Sequence, residues 1–223
     1  MPEWVFDASS WIIPVILAVT LHEAAHGWMA ERFHDNTARI LGRVTFNPFK
    51  HIDRFGTIVL PGLLLLMQSP ALFGYAKPVP VNFSQLRPAR VGMFMVAIAG
   101  VLVNFILALI SAFLLHIDVL LTPEWTPWVF QNLYKSILIN CALIVFNMIP
   151  ILPLDGGRAV DALLSGTPRR LYRKLERYGV IIVFAVVLLP PLLGSELSQQ
   201  WLGKPIFFLY TLVLQLSGNG SIG

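Results

Sequence analysis

Apolar residues run in long blocks along this chain, with polar residues gathered between them. The first block covers about 10–33, and others follow at about 55–74, 91–115, 133–149, 178–194 and 203–217. Several match the roughly 17–25 residues that a helix needs to cross a bilayer. The block at 55–74 is interrupted by Pro61-Gly62 and closed by Pro70. Between the blocks, Arg43-Val44-Thr45-Phe46 has strand character, and Asn47-Pro48 reads as a turn. Tyr75-Ala76-Lys77-Pro78-Val79-Pro80-Val81 is too rich in proline for a helix or a central strand, and reads as an edge strand or an irregular hairpin. The pattern predicts an all-α polytopic membrane protein. Its bundle has about five to six membrane segments, with short membrane-associated β or extended segments near 43–47 and 75–82. A short helix is expected over 158–165, and the Gly/Ser tail 217–223 is expected to be disordered.

Composition agrees with this reading. Of 223 residues only 13% are charged, against about 25% in soluble domains. No polar linker is long enough to separate two domains, so residues 1–223 read as one unit. In such a chain the net charge of +4 speaks to orientation, and no basic tract interleaved with aromatics indicates nucleic acid as a partner. The single cysteine, Cys141, lies in an apolar run and reads as a small core residue. The N-terminus lacks the basic start and small-residue cleavage site of a secretory signal, so the first apolar segment is expected to be retained.

That first segment contains His22-Glu23-Ala24-Ala25-His26. Histidines four apart share one helix face and can reach one metal ion, while the intervening glutamate can take a proton from water activated there. Ionisable residues are also costly in lipid, which marks an intramembrane cluster as functional. The bland alternative is three polar side chains satisfying one another in a bundle. A catalytic zinc site needs a third protein ligand. His34 lies in a polar stretch with Asp35 and Asn36 that reads as a solvated loop. Asp155 ends an apolar run between prolines and a Gly-Gly pair, and its residue type fits a third ligand and the N-cap of helix 158–165 equally well. His51 and Asp53 read as polar-turn residues and His116 as interfacial. Trp4, Trp11, Trp125, Trp128 and Trp201 fall near span ends, as in a membrane belt.

Over about residues 15–165 the chain resembles the compact prokaryotic branch of the site-2 protease family of intramembrane zinc metalloproteases. His22 to His26 matches that family's H-E-x-x-H, and Asn147 to Gly157 matches its N-x-x-P-x-x-x-L-D-G-G. Gly42-Arg43-Val44-Thr45-Phe46-Asn47-Pro48 and Lys77-Pro78-Val79-Pro80-Val81-Asn82 are similar to it as well. Ala99-Gly100-Val101-Leu102-Val103-Asn104 is similar to the family's A-G-P-x-x-N, with Val101 in place of the usual proline, and a changed local bend is expected there. The resemblance implies one Zn2+ per chain held by His22, His26 and Asp155, with Glu23 as the catalytic base. It implies a catalytic core at about 10–165 within one transmembrane metalloprotease domain, followed by C-terminal membrane segments at about 178–217. Asn147 and Asn104 are candidates for oxyanion or substrate binding, and for Asn147 a helix-end hydrogen bond is an equal alternative.

Charge sets an orientation. Residues 155–177 carry Arg158, Arg169, Arg170, Arg173, Lys174 and Arg177, whereas 116–131 carry no Lys or Arg. The positive-inside rule places 155–177 in the cytoplasm and the N-terminus outside. The segment 55–74 must then be re-entrant or interfacial, making no net crossing. The expected function is hydrolysis of peptide bonds in a membrane-spanning protein or peptide substrate by zinc-activated water, in the cell membrane of a prokaryote. Strand addition to 43–47 or 75–82 could hold the unwound substrate. The competing functions are a non-catalytic metal-binding membrane protein and a metal-ion transporter. An intact Glu23 argues against the first, and the absence of repeated halves against the second.

Overall fold

The computed structural model describes residues 3–59, 77–116, 123–193 and 199–220. Helix α1 (Glu3–Arg32) is followed by a single turn, α2 (Thr37–Ile40), and by α3 (Ala89–Phe113), α4 (Thr126–Asn147), α5 (Asp155–Leu163), α6 (Gly166–Lys174), α7 (Glu176–Leu193) and α8 (Lys204–Leu216). Among the described residues three helical stretches are long and apolar enough to cross a membrane: Val5–Arg32, Ala89–His116 and Thr126–Asn147. The last two apolar blocks are helical as α7 and α8.

Helices α1, α3 and α4 pack mutually, and α5 packs on α3. Small residues make this close approach possible: Ala18, Ala30 and Ala108 are fully buried. Direction follows from side-chain pairs. His22 meets Asn104 and His26 meets Val96, so α1 and α3 run antiparallel. At the far end of α1, Lys135 of α4 donates to the Asp7 carboxylate at 2.6 Å, to the Asp7 carbonyl at 2.8 Å and to Ser10 Oγ at 2.7 Å. This lysine within an apolar helix is therefore satisfied by three acceptors, and α1 and α4 start at the same end. One core lies around Ala108, Ala112, Ile137, Cys141, Val213 and Leu214, where Cys141 is indeed a buried small residue. A second lies around Ala30, Leu86, Met93, Val96 and Ala162, near the opposite end.

Of the two alternatives for the second extended segment the structure has the irregular one, while the strand character expected near 43–47 is not realised. No strand occurs among the described residues. Residues 43–47 bend, and 77–82 is irregular. Its backbone groups are already used: Lys77 N–H donates to His51 O at 2.9 Å, Val79 N–H to Glu23 Oε2 at 2.7 Å and Asn82 N–H to Asp35 Oδ2 at 2.6 Å. Pro78 and Pro80 have no N–H, so the segment cannot present the alternating donors of a strand edge. The Arg43 guanidinium stitches it to the first loop, donating to Lys50 O, Lys77 O and Pro78 O. Asp35, expected in a solvated loop, is fully buried, and it also accepts from Thr37 N–H at 3.0 Å. Arg87 N–H donates to Phe33 O at 2.9 Å. The chain thus leaves α1 and enters α3 at one end of the bundle. The expected re-entrant segment 55–74 falls largely outside the described residues, as do Trp4's side chain and the Tyr75-Ala76 start of the second extended segment.

Three boundaries move. Helix α4 begins seven residues before the expected 133, with Pro127 in its first turn. Helix α5 begins at Asp155 rather than 158. The tail docks as far as residue 220: Asn219 is buried and its amide donates to Ala112 O at 2.9 Å, while His116 Nε2 donates to Ser217 O at 2.8 Å. Across Val101 helix α3 is continuous.

Candidate metal centre

The second half of α1 carries His22 and His26 on one face, both buried. Their Nε2 atoms lie 3.0 Å apart. The chain brings Asp155 to them through the proline-punctuated end of α4. Pro150 and Pro153 prevent α4 from continuing, and Asp155 opens α5. Gly156 and Gly157 allow the fit, because a Cβ on Gly156 would lie 2.4 Å from Met148 O and one on Gly157 2.5 Å from the Ile151 carbonyl carbon. Leu154, not Asp155, occupies the N-cap position, and no side chain caps the helix. Instead Asp155 Oδ2 points at the histidines, 3.2 Å from His22 Nε2 and 3.3 Å from His26 Nε2.

The other ring nitrogens settle the tautomers. His22 Nδ1 lies 2.9 Å from Asn104 Oδ1, and His26 Nδ1 lies 2.8 Å from Val96 O. Both partners are acceptors, so each Nδ1 carries a proton, and each Nε2 is the atom turned towards Asp155. Three potential ligand atoms therefore converge: two imidazole nitrogens and a buried carboxylate oxygen that has no hydrogen-bond partner. Two imidazole nitrogens and a carboxylate oxygen facing one another at this range are a group that could hold a cation. The triangle edges of 3.0–3.3 Å approach the roughly 3.3 Å between ligands in a tetrahedron with bonds of about 2.0 Å, the geometry of zinc with nitrogen and oxygen donors. The residues fit the ion.

Helix α3 forms the seat. Val96, Gly100 and Asn104 are spaced four apart and so lie along one face. Asn104, fully buried, orients His22. A Cβ on Gly100 would lie 2.5 Å from His22 Cε1, so only glycine lets the ring lie flat on the helix. Gly100 stands in the Ala99–Asn104 stretch already noted in the sequence, without a role assigned there, and the Val96 carbonyl is a further contributor. The motif marked the glycine but not the ring it makes room for, and a backbone carbonyl leaves no signal in a sequence.

Glu23 stands apart from the triangle and is partly exposed. Its Oε2 accepts from Val79 N–H. The Asn147 amide is engaged along its own helix, donating to Leu143 O at 3.0 Å. His34 is exposed, with a left-handed backbone at φ 73°, and takes no part in the cluster.

Helices α5 and α6 are clamped behind Asp155. Asp161, fully buried, accepts from Arg169 Nε at 2.9 Å and from Arg173 Nη2 at 2.9 Å. Burial opposes ionisation of Asp161, but the hydrogen bonds from Arg173 and Arg169 prevail and hold its carboxyl below the ordinary range. Arg90, at the start of α3, donates to the last carbonyls of α5, Ala162 O at 3.1 Å, Leu163 O at 3.2 Å and Leu164 O.

The sequence profile of peptidase family M50 matches residues 10–136 and 117–190. YwhC of Bacillus subtilis, whose name describes a zinc metalloprotease, is 38% identical over 185 residues, 81% of this chain and 80% of that protein. Rip2 of Mycolicibacterium smegmatis, named in the same way, is 25% identical over 87% of this chain and 70% of its own length. Rip2 of Mycobacterium tuberculosis is 26% identical over 88% and 71%. No solved structure matches the chain at a significant level. The His-His-Asp triangle, with its two buried histidines, and the apolar bundle around it thus accompany a family match over most of the length: the chain belongs to peptidase family M50, the site-2 protease family, and is an intramembrane metalloprotease.

Proposed function

We propose that His22, His26 and Asp155 hold one zinc ion per chain and that Glu23 is the general base for hydrolysis of a peptide bond in a membrane-spanning substrate. The observation that carries this reading is the convergence of three potential ligand atoms, with both histidine tautomers set by α3. A zinc ion bound there supplies Lewis acidity that polarises the scissile carbonyl and brings the pKa of water towards about 7. Glu23 takes the proton of the attacking water and returns it to the leaving amine. Val79 N–H holds one Glu23 oxygen and leaves the other to receive that proton. Asn104 holds His22, and its Nδ2, buried without a partner among the described residues, is the donor left for an oxyanion or substrate carbonyl. Asn147 keeps its helix-end role.

A helical substrate buries its carbonyls in hydrogen bonds, so it must unwind before attack. Water must also reach the metal, and the α5 end of the bundle, where Asp155 and Glu23 are partly exposed, is the side from which it comes. By the distribution of Lys and Arg this end is cytoplasmic, in the cell membrane of a prokaryote, and the N-terminus is outside. The whole chain serves as one catalytic domain. Labelling of cysteines placed at Asp53 and Tyr75 tests the orientation: both should react from the cytoplasmic side.

Purified protein in detergent is assayed for bound metal and for cleavage of a helix-destabilised membrane-spanning peptide. Glu23→Gln should keep zinc and lose about 10²–10⁴-fold in rate, the usual contribution of a general base. Asp155→Ala should lose both. Cleavage unchanged in Glu23→Gln would sink the assignment.

A further inference from the structure

We propose that the outward face of α6, continued into the start of α7, docks on anionic phospholipid headgroups of the bilayer that holds this chain. The helix has two faces with different work. Arg169, Tyr172, Arg173 and Glu176, spaced at three and four, turn towards the protein. Arg169 and Arg173 bind Asp161, Tyr172 Oη donates to Pro150 O at 2.9 Å, and Glu176 pairs with Arg158 at 2.5 Å. The opposite face carries Leu171, Leu175 and Tyr178, which are 57%, 51% and 48% exposed. Each is immediately preceded by an exposed cation: Arg170, Lys174 and Arg177. Among the described residues none of these three cations pairs with a carboxylate, and Arg177 stacks on the Tyr178 ring at 4.6 Å.

An apolar stripe edged by cations, with the inward face already satisfied, is the pattern of a helix lying in a headgroup layer. Its position argues for lipid over a protein partner. Helix α6 leads directly into the apolar α7, and it stands at the end of α4, where a spanning helix leaves the membrane. Basic residues beside a membrane segment are drawn to an anionic leaflet. The same helix grips Asp161 on α5, whose first residue is Asp155, so docking would brace the metal-bearing helix from outside the bundle.

The test uses the full chain with Cys141→Ala and Leu171→Cys, a nitroxide on the new cysteine, and nanodiscs of phosphatidylcholine alone or mixed with phosphatidylglycerol. Leu175→Cys serves as a second label site. In the anionic nanodiscs the label should collide more with oxygen than with a water-soluble nickel chelate. That ratio should invert in Arg170→Gln/Lys174→Gln/Arg177→Gln. The idea is overturned if the label stays open to the chelate in anionic nanodiscs. Shielding from both probes would also overturn it, since that means protein contact, as would immersion that survives the triple substitution. The readout involves neither catalysis nor metal, so its failure is separate from failure of the assigned chemistry.

Discussion

His22 and Asn104, on antiparallel helices, are joined by an Nδ1–H···Oδ1 bond of 2.9 Å inside the bundle. The bond fixes which nitrogen of His22 faces His26 and Asp155, where the metal is proposed to sit. A hydrogen bond that orients a metal-binding histidine from behind is worth about 10–100-fold in metal affinity. Asn104→Ala should weaken zinc binding by about that factor, measured by competition with a chelator, while helicity stays unchanged.

Gly100 sets the room for the same ring. Gly100→Ala would put a methyl group 2.5–2.7 Å from three His22 ring atoms. The helix cannot shift alone, because Val96 and Asn104 on the same face hold both histidines. Overpacking costs about 1–3 kcal/mol, and His22 should be displaced by it. Zinc content and cleavage should fall together by at least about tenfold.

Val79 tests the role proposed for Glu23 without touching that residue. A hydrogen bond to a charged group contributes about 1.5–3 kcal/mol, so Val79→Pro, which removes the N–H, should lower kcat by about 10–100-fold with zinc retained. Val79→Ala keeps the N–H and should stay within a few-fold of wild type.

Asp161 gives a pH dependence with a definite sign. Its carboxyl is held below the ordinary value by Arg173 and Arg169 against the cost of burial. A depressed folded pKa contributes stability that is fully present above the unfolded value, about 3.9, and is lost as pH falls through the folded one. Carboxyl-carbon NMR of Asp161 should therefore show a midpoint below that of an exposed aspartate, with detachment of α6 following protonation. Asp161→Asn should cost about 2–3 kcal/mol in thermal unfolding at neutral pH. This is less than the roughly 3–5 kcal/mol of a fully buried pair, since Arg173 is half exposed.

Much of this protein was legible in its residues. Apolar block lengths determined the three long helices, because a span must satisfy its backbone internally whatever its neighbours are. The four-residue spacing of His22 and His26 determined that they share a face, because helical periodicity is local. Tertiary structure decided what depends on distant partners. Whether Asp155 caps a helix or meets the histidines turned on where α5 begins, and backbone packing at Gly156 and Gly157 sets that. Between an edge strand and an irregular segment near 77–82, the second is found because Glu23, Asp35 and His51, remote in sequence, take its hydrogen bonds. Asn104 and Asn147 are the same residue type in similar apolar helices. One orients His22 and the other bonds to its own helix, and only the packing of α3 against α1 separates them.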